Sequence, residues 1–356
     1  MPRPVEAIID LQALRNNAAV AKRHAGDAKV FAVVKANGYG HGLERILPAL
    51  GAADGFAVVE LELALCIRGC EITKPVLLLE GFFDEKELVT ASKNGLHIAV
   101  HEAKQIEMLL AARLPQPLSV YLKINTGMNR LGFMPGQVAE LHGRLVSSEN
   151  VREVVAMTHF ADADGKRGVD WQLQPLMQLA EPLGTKVCAA NSAALLRYPQ
   201  SHGDWVRPGI MLYGASPFDD VNAEQLGLQP VMTLRSRMID IQDLQPGDSV
   251  GYGCTFTADK AMRIGVVAAG YGDGYPRHAP TGTPALVGGQ RVGTIGHVSM
   301  DTLCIDISEL PDVGVGSEVT LWGEGLPVEQ VAASSGTVSY ELLTKVTARV
   351  PFIVRN

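Results

Sequence analysis

Cysteine is scarce in this chain: five among 356 residues, Cys66, Cys70, Cys188, Cys254 and Cys304, odd in number and scattered. That usage excludes a disulfide framework and a clustered zinc site as organising devices and suits reduced thiols, so no metal is implied. Basic runs are missing too. Thirty-one Lys and Arg stand against 38 Asp and Glu, a formal net charge of −7. The electrostatic footprint of a nucleic-acid binder is therefore absent, and a small molecule is the expected partner. Hydrophobic residues make up 47% and charged ones 19%, yet no uninterrupted apolar run approaches the length that crosses a bilayer, which predicts a soluble protein with no membrane partner. The first residues, MPRPVEAIID, include acidic side chains and lack a long apolar region. They do not read as a secretory signal, and a cytoplasmic location is expected. Low-complexity segments and long disordered linkers are also lacking.

What is present centres on Val30 to Gly42, VFAVVKANGYGHG, where an apolar run ends in one lysine and breaks into a glycine-rich turn. Val30, Phe31, Ala32, Val33 and Val34 do not alternate with polar residues, so they read as a strand buried on both faces. Lys35, at its end, points its charge toward a dry interior. Desolvation there lowers the amine pKa and favours a neutral nucleophile able to form a Schiff base. The competing reading, a lysine snorkelling to water, is equally compatible with the local pattern.

From Val30 onward short apolar runs alternate with amphipathic stretches. Strands are expected at Val30–Lys35, Gly55–Val59, Pro75–Glu80, Leu96–Val100, Leu118–Asn125, Val154–Phe160, Thr185–Asn191 and Trp205–Gly214, with helices such as Leu61–Arg68, Asp84–Lys93, Glu102–Arg113 and Gln137–Val146 between them. Eight β/α units predict an α/β fold with an N-terminal TIM (β/α)8 barrel over residues 8–226. An open doubly wound sheet is the runner-up, but GYGHG lacks the spacing of a dinucleotide fingerprint. After about residue 226 strand-like segments joined by Pro-Gly, Gly-Asp and Gly-Gly turns predict a mostly β C-terminal domain over 227–356. The extended residues 1–7 could add a strand to it.

Chemistry in such a barrel sits at the C-terminal ends of the strands. Lys35, Lys123 with Asn125, His159, Asn191 with Ser192, and Arg207 before Pro208-Gly209 all fall there. Each alone is weak, since a lone strand-end histidine is more often structural. Together they form a coherent set. The Ser192 hydroxyl and the backbone N–H groups around Gly209 and Ile210 offer a phosphate site facing a lysine, which suggests pyridoxal 5′-phosphate (PLP).

The motifs AVVKANGYGHG, KINTGMNRLGF, THFADAD, DWVRPGIMLYG, VGYG, GYGDGYPR, VSMD and SYELLTKVTARVP occur in this order along essentially the whole chain. In these it resembles the alanine racemase family. The resemblance implies a PLP-dependent isomerase that interconverts L- and D-alanine by two bases, either supplying D-alanine for peptidoglycan or serving alanine catabolism. It also implies a homodimer in which each active site uses the barrel of one subunit and the β domain of the other. Carried over residue by residue, Lys35 would hold PLP and act as the base on the D-alanine side. Tyr252 would act on the L-alanine side, with His159 and Arg207 behind it. Tyr39, Ser192, Gly209, Ile210 and Tyr340 match phosphate contacts, and Arg130 matches the arginine that meets the PLP phenolic oxygen and the substrate carboxylate. Met300 with Asp301 matches a substrate-facing element of the partner subunit, Tyr271 an entrance residue, and Asn191 and Arg277 supporting positions. Lys123 matches a lysine that the family carbamylates to orient the arginine.

Two departures affect the pocket lining: Ser299 stands where the family often has cysteine before Met-Asp, and His297 where arginine is more usual. Two other functions compete with this one. A non-catalytic PLP carrier resembles the barrel alone, against which the β domain and Tyr252 speak. A barrel-type decarboxylase places a carboxylate at the pyridine nitrogen, where this chain offers Arg207.

Overall fold

A computed structural model describes residues 3–356; Met1 and Pro2, the start of the expected N-terminal strand, lie outside the described residues. Strand β1 (Glu6–Asp10) buries Ala7 and Ile9 and half-exposes the residues between them, the period of two of a strand with one face inward. It ends where the Asp10 carboxylate accepts the Ala13 N–H at 2.8 Å and caps the helix Leu11–Ala25.

Eight strands then close into a parallel barrel: β2 (Lys29–Val33), β3 (Gly55–Val58), β4 (Val76–Leu78), β5 (His97–Val100), β6 (Leu118–Lys123), β7 (Val151–Met157), β8 (Lys186–Cys188) and β9 (Trp205–Val206). Closure comes from β9 pairing back onto β2 through Lys29↔Trp205 and Val30↔Val206. Barrel strands are covered by side chains inside and helices outside, which is why β3, β4, β5 and β6 are buried at every position. The helices Leu61–Gly69, Glu85–Lys93, Ala103–Ala111, Val138–Val146 and Asp170–Leu183 supply the outer layer. Inside, Phe31 stacks on Trp205 with ring centroids 3.9 Å apart and meets the Tyr121 ring edge-on at 5.9 Å. This aromatic layer joins opposite sides of the barrel and fills its interior below the strand ends.

Several expected strands are shorter than their apolar runs: Pro75–Glu80 is a strand only over Val76–Leu78, Leu118–Asn125 only through Lys123 and Thr185–Asn191 only over Lys186–Cys188. Trp205–Gly214 is a strand only through Val206, because Pro208 has no N–H to give a ladder, and Ile210–Tyr213 instead forms a single 3-10 turn. Lys35 lies two residues beyond β2, in the turn that follows it.

The second body is an eight-stranded sheet. Its members are β1 with β10 (Met232–Leu244), β13 (Met262–Val267), β14 (Pro284–Val287), β15 (Gln290–Ile295), β16 (Leu303–Asp306), β17 (Glu318–Trp322) and β18 (Phe352–Arg355), in the order β13-β16-β15-β14-β17-β10-β1-β18; β11 (Ser249–Val250) and β12 (Phe256–Thr257) make a separate hairpin. β1 runs antiparallel to β10 and parallel to β18, so the N-terminus is woven into the C-terminal sheet. The hairpin between β14 and β15 turns on Gly288 and Gly289, at φ 56° and 82°, the pair of positive φ values that matches strand twist. Short helices at Val328–Ser334 and Ser339–Thr344 follow, and the second brings Tyr340 to the barrel mouth.

Candidate active site

The barrel mouth holds a cavity of 740 Å³ lined by Lys35, Tyr39, Lys123, Arg130, His159, Asn191, Ser192, Arg207, Gly209, Ile210 and Tyr340 among others. Eleven of the seventeen residues singled out from the sequence therefore meet in one place. They converge because parallel strands present all their C-terminal ends at one rim.

Lys35 opens a turn of unusual hand. Ala36, Asn37, Gly38, Tyr39 and Gly40 all have positive φ, from 50° to 82°. A single non-glycine residue in this region costs about 1–2 kcal/mol, and three occur here, so the surroundings must enforce the conformation. The Asn37 carbonyl oxygen of the side chain accepts the Leu43 N–H at 2.8 Å, and the Gly40 N–H reaches the Ala36 carbonyl at 3.0 Å. The Lys35 amine faces the cavity with its pKa below the ordinary lysine value, first through burial and then through the charges of Arg130 and Arg207; Glu80 and Glu60 oppose the shift.

Arg207 is buried, and its guanidinium is fully engaged at both ends. Nη1 donates to the Cys188 carbonyl at 2.7 Å and to its Sγ at 3.0 Å. Nη2 donates to the carbonyls of Thr158 at 2.7 Å and Ala189 at 3.1 Å and to Nδ1 of His159 at 3.3 Å. Burial, and after it the positive charge of Arg207, holds the His159 pKa well below the usual imidazole range. On the next strand, Lys123 is also buried. Desolvation, followed by Arg207 and Arg130, brings its pKa down to about 8. The loop after β6 folds back so that Phe133 bridges Ile124, which carries Arg130 over the mouth.

The opposite wall is made of backbone and hydroxyls. Ser192 is buried and its Oγ accepts the Gly209 N–H at 2.8 Å, while Asn191 caps the helix Ser192–Arg197 by accepting the Ala194 N–H at 2.9 Å. A side chain at 209 would not fit: a Cβ there would lie 2.4 Å from the Tyr39 hydroxyl. Tyr39 stacks on Tyr213 at 4.6 Å and tilts against Tyr340 at 6.0 Å.

Six of the residues singled out do not line this cavity: Asn125 folds onto its own loop, its Oδ1 accepting the N–H groups of Gly127 at 3.1 Å and Asn129 at 3.0 Å, and the other five lie in the C-terminal domain. Tyr252 is 73% exposed and Met300 51% exposed, and Tyr271, Asp301 and Arg277 also lie on the surface of the C-terminal sheet. Two of them, Tyr271 and Asp301, are bonded into their surroundings there. Tyr271 N–H donates to the Ser299 carbonyl at 3.0 Å, and Arg349 bonds Asp301 at 2.6 Å and the buried Asp273 at 2.8 Å. Sequence reasoning passed over three residues at or under the site. Glu80, beyond β4, lines the cavity and obeys the same strand-end rule that selected the others. His41 and Tyr213 carry no such local signal, because their importance lies in packing under the turn.

Sequence-family models for the N-terminal and the C-terminal domain of alanine racemase match residues 9–217 and 231–354. The chain belongs to the alanine racemase family. The alanine racemase of Thiobacillus denitrificans is 56% identical, the match covering 98% of this chain and 95% of that one, and the alanine racemase of Nitrosomonas eutropha is 52% identical over 99% of each. The crystal structure of the biosynthetic alanine racemase from Pseudomonas aeruginosa superposes with a TM-score of 0.97 at 47% identity, covering 99% of this chain and all of that one. The alanine racemase likeness thus extends over both the barrel and the β domain, including the surface that carries Tyr252 and Met300.

Proposed function

We propose that the chain interconverts L- and D-alanine with PLP as cofactor, working as a cytoplasmic homodimer. The observation that carries this reading is the convergence of a depressed-pKa lysine, an anion-fitting wall and a buried arginine in one cavity of an alanine racemase family member. No helix among the described residues is long and apolar enough to cross a membrane.

The residues present fit the cofactor. The cavity is large enough for a phosphorylated pyridine ring, and its two ends differ in the way such a molecule requires. Lys35 supplies an amine at one end. At the other, the Ser192 hydroxyl, the turn that begins at Gly209 and Ile210, and the phenols of Tyr39 and Tyr340 offer the small, donor-rich wall that an anion needs. The backbone can approach closely there only because residue 209 has no Cβ. When bound, PLP supplies an electron sink for the negative charge left as the substrate Cα–H bond breaks.

This chain's own residues supply binding and proton traffic. Arg130 receives the substrate carboxylate, for which a planar guanidinium is suited. Lys35, whose amine pKa burial lowers, takes or returns the Cα proton on the D-alanine side. Racemisation also needs a proton carrier on the other face. Tyr252 of the partner subunit fills that place, with Met300 and Asp301 of the same β domain beside it and Tyr271 at the entrance. Arg207 and His159 form the fixed, positively biased floor of the site, and Asn191 and Arg277 support it. A carbamate on Lys123 would turn a cation beside Arg130 into an anion that orients the guanidinium. Incubating the PLP-loaded protein with L-alanine should give D-alanine by chiral chromatography until the two are equal. Absence of D-alanine from a folded, loaded protein would defeat this assignment.

A further inference from the structure

His41 follows directly on the left-handed turn and is wholly buried. Its Nδ1 lies 3.0 Å from the Gly38 carbonyl and 2.9 Å from the Tyr39 carbonyl. Both partners are acceptors, so Nδ1 carries the proton and shares it between two consecutive peptide units of the turn. Nε2 then bears only a lone pair, and it has no hydrogen-bond partner among the described residues. Burial lowers the ring's pKa to about 4, so the imidazole stays neutral.

The ring is held in turn by Tyr213, whose centroid is 4.6 Å away and whose hydroxyl donates to the Val33 carbonyl at 3.0 Å. Tyr213 also stacks on Tyr39. His41 is thus bonded to the turn's carbonyls and packed on the aromatic ring that stacks on Tyr39 and bonds the end of β2 at Val33. Lys35 stands at one end of that turn and Tyr39 at the other, and both line the cavity. A five-residue run of positive φ would relax toward the ordinary region if its carbonyls lost their donor, because three of its residues are not glycine.

We infer that His41 is a positioning residue: its Nδ1–H, shared by the Gly38 and Tyr39 carbonyls, locks the left-handed turn and so sets the separation of the Lys35 amine from the Tyr39 hydroxyl. It touches neither substrate nor cofactor. The catalytic arm of the test rests on the function proposed above, whereas its exchange and tautomer arms do not.

Two substitutions separate the role of the donor from that of ring volume. In His41→Asn the side-chain nitrogen sits where Nδ1 sits, one bond from Cγ, and the donor is kept. In His41→Gln the nitrogen moves one bond further, toward the place of Nε2. The PLP-loaded His41→Asn enzyme should keep kcat within about threefold of the parent. His41→Gln should lose about tenfold or more in kcat, with little change in KM, as expected when a group is displaced by loss of a hydrogen bond. Amide hydrogen exchange of the segment 36–42 should quicken about tenfold in His41→Gln and hardly change in His41→Asn, with the rest of the chain unaffected in both. PLP should also dissociate faster from the Gln variant. Equal behaviour of the two variants, or unchanged exchange in His41→Gln, would overturn the inference. If neither variant folds, 15N NMR of histidine-labelled parent enzyme decides: a protonated Nδ1 on His41 supports the assignment and an Nε2–H tautomer refutes it. Should the parent prove inactive on alanine, the proposed reaction fails while the exchange and tautomer results still judge His41.

Discussion

Arg207 donates through Nη2 to Nδ1 of His159 at 3.3 Å. A guanidinium can only donate, so this bond requires a lone pair on Nδ1 and places the one imidazole proton on Nε2. His159 is therefore a neutral group, kept so first by burial and then by the charge of its neighbour. Replacing the arginine with alanine should raise the His159 pKa toward the usual imidazole range, read from its NMR titration. The same change leaves the carbonyls of Thr158, Cys188 and Ala189 without this donor and should cost about 2–4 kcal/mol in urea unfolding. An unshifted His159 in a folded Arg207→Ala protein would show that the arginine does not control it.

Tyr252 offers a cleaner separation of chemistry from stability. Because it is 73% exposed and no part of the core, Tyr252→Phe should leave the melting temperature within the small range usual for surface changes. Racemisation should nonetheless fall by roughly 10²–10⁴-fold, the contribution of one positioned proton carrier. Wild-type turnover in that variant would remove Tyr252 from the mechanism.

Shared sites can be tested by mixing subunits. If, as proposed, Lys35 and Tyr252 belong to different halves of one shared site, homodimers of Lys35→Ala and of Tyr252→Phe should each be inactive. Random exchange between equal amounts makes half the dimers mixed, each with one intact site, and should recover about a quarter of the parent activity if sites span two subunits. Proven exchange without recovered activity would mean that each chain builds its site alone.

Gly209 and Tyr39 should show strong coupling. An alanine at 209 would push its Cβ to 2.4 Å from the Tyr39 hydroxyl, whereas the ring carbon behind that oxygen is 3.1 Å away. Gly209→Ala should then cost about 1–3 kcal/mol as overpacking and weaken PLP binding. Adding Tyr39→Phe should return much of the stability, a non-additivity that a double-mutant cycle of thermal or urea unfolding measures directly. Additive losses would show that the contact relaxes elsewhere.

Lys123 links stability to pH. Its folded-state pKa of about 8 lies below the ordinary lysine value of 10.5, so between these two values the unfolded chain binds the proton that the folded chain has released. Stability contributed by this group should therefore rise as pH increases from about 8 toward 10.5, and Lys123→Met should flatten that rise. A partly neutral amine is also the form that adds CO2. Enzyme equilibrated with 13C-bicarbonate should show a carbamate resonance that Lys123→Arg abolishes; its absence from the parent would leave Lys123 an unmodified cation.

The number and kind of the barrel's elements were determined by the sequence alone, for a local reason. Unbroken apolar runs such as Val30–Val34 have no alternative to a strand buried on both faces, and the helical stretches between them can bury their apolar stripe only on that sheet. Strand-end position then sufficed to pick out Lys35, Lys123, His159 and Arg207, since parallel strands deliver their ends to one rim. Strand bounds were less legible. The apolar run after Trp205 continues to Gly214, but the ladder ends at Val206 because a hydrogen-bonding pattern, not hydrophobicity, ends a strand. Only the tertiary structure decided that the turn after Lys35 is left-handed, that His41 and Tyr213 brace it, and that Tyr252 and Met300 face outward instead of toward the cavity of their own chain. The brace from Tyr213 depends on contacts between segments far apart in the chain. The Tyr213 hydroxyl meets the Val33 carbonyl across 180 residues of sequence, and no local propensity encodes a contact of that span.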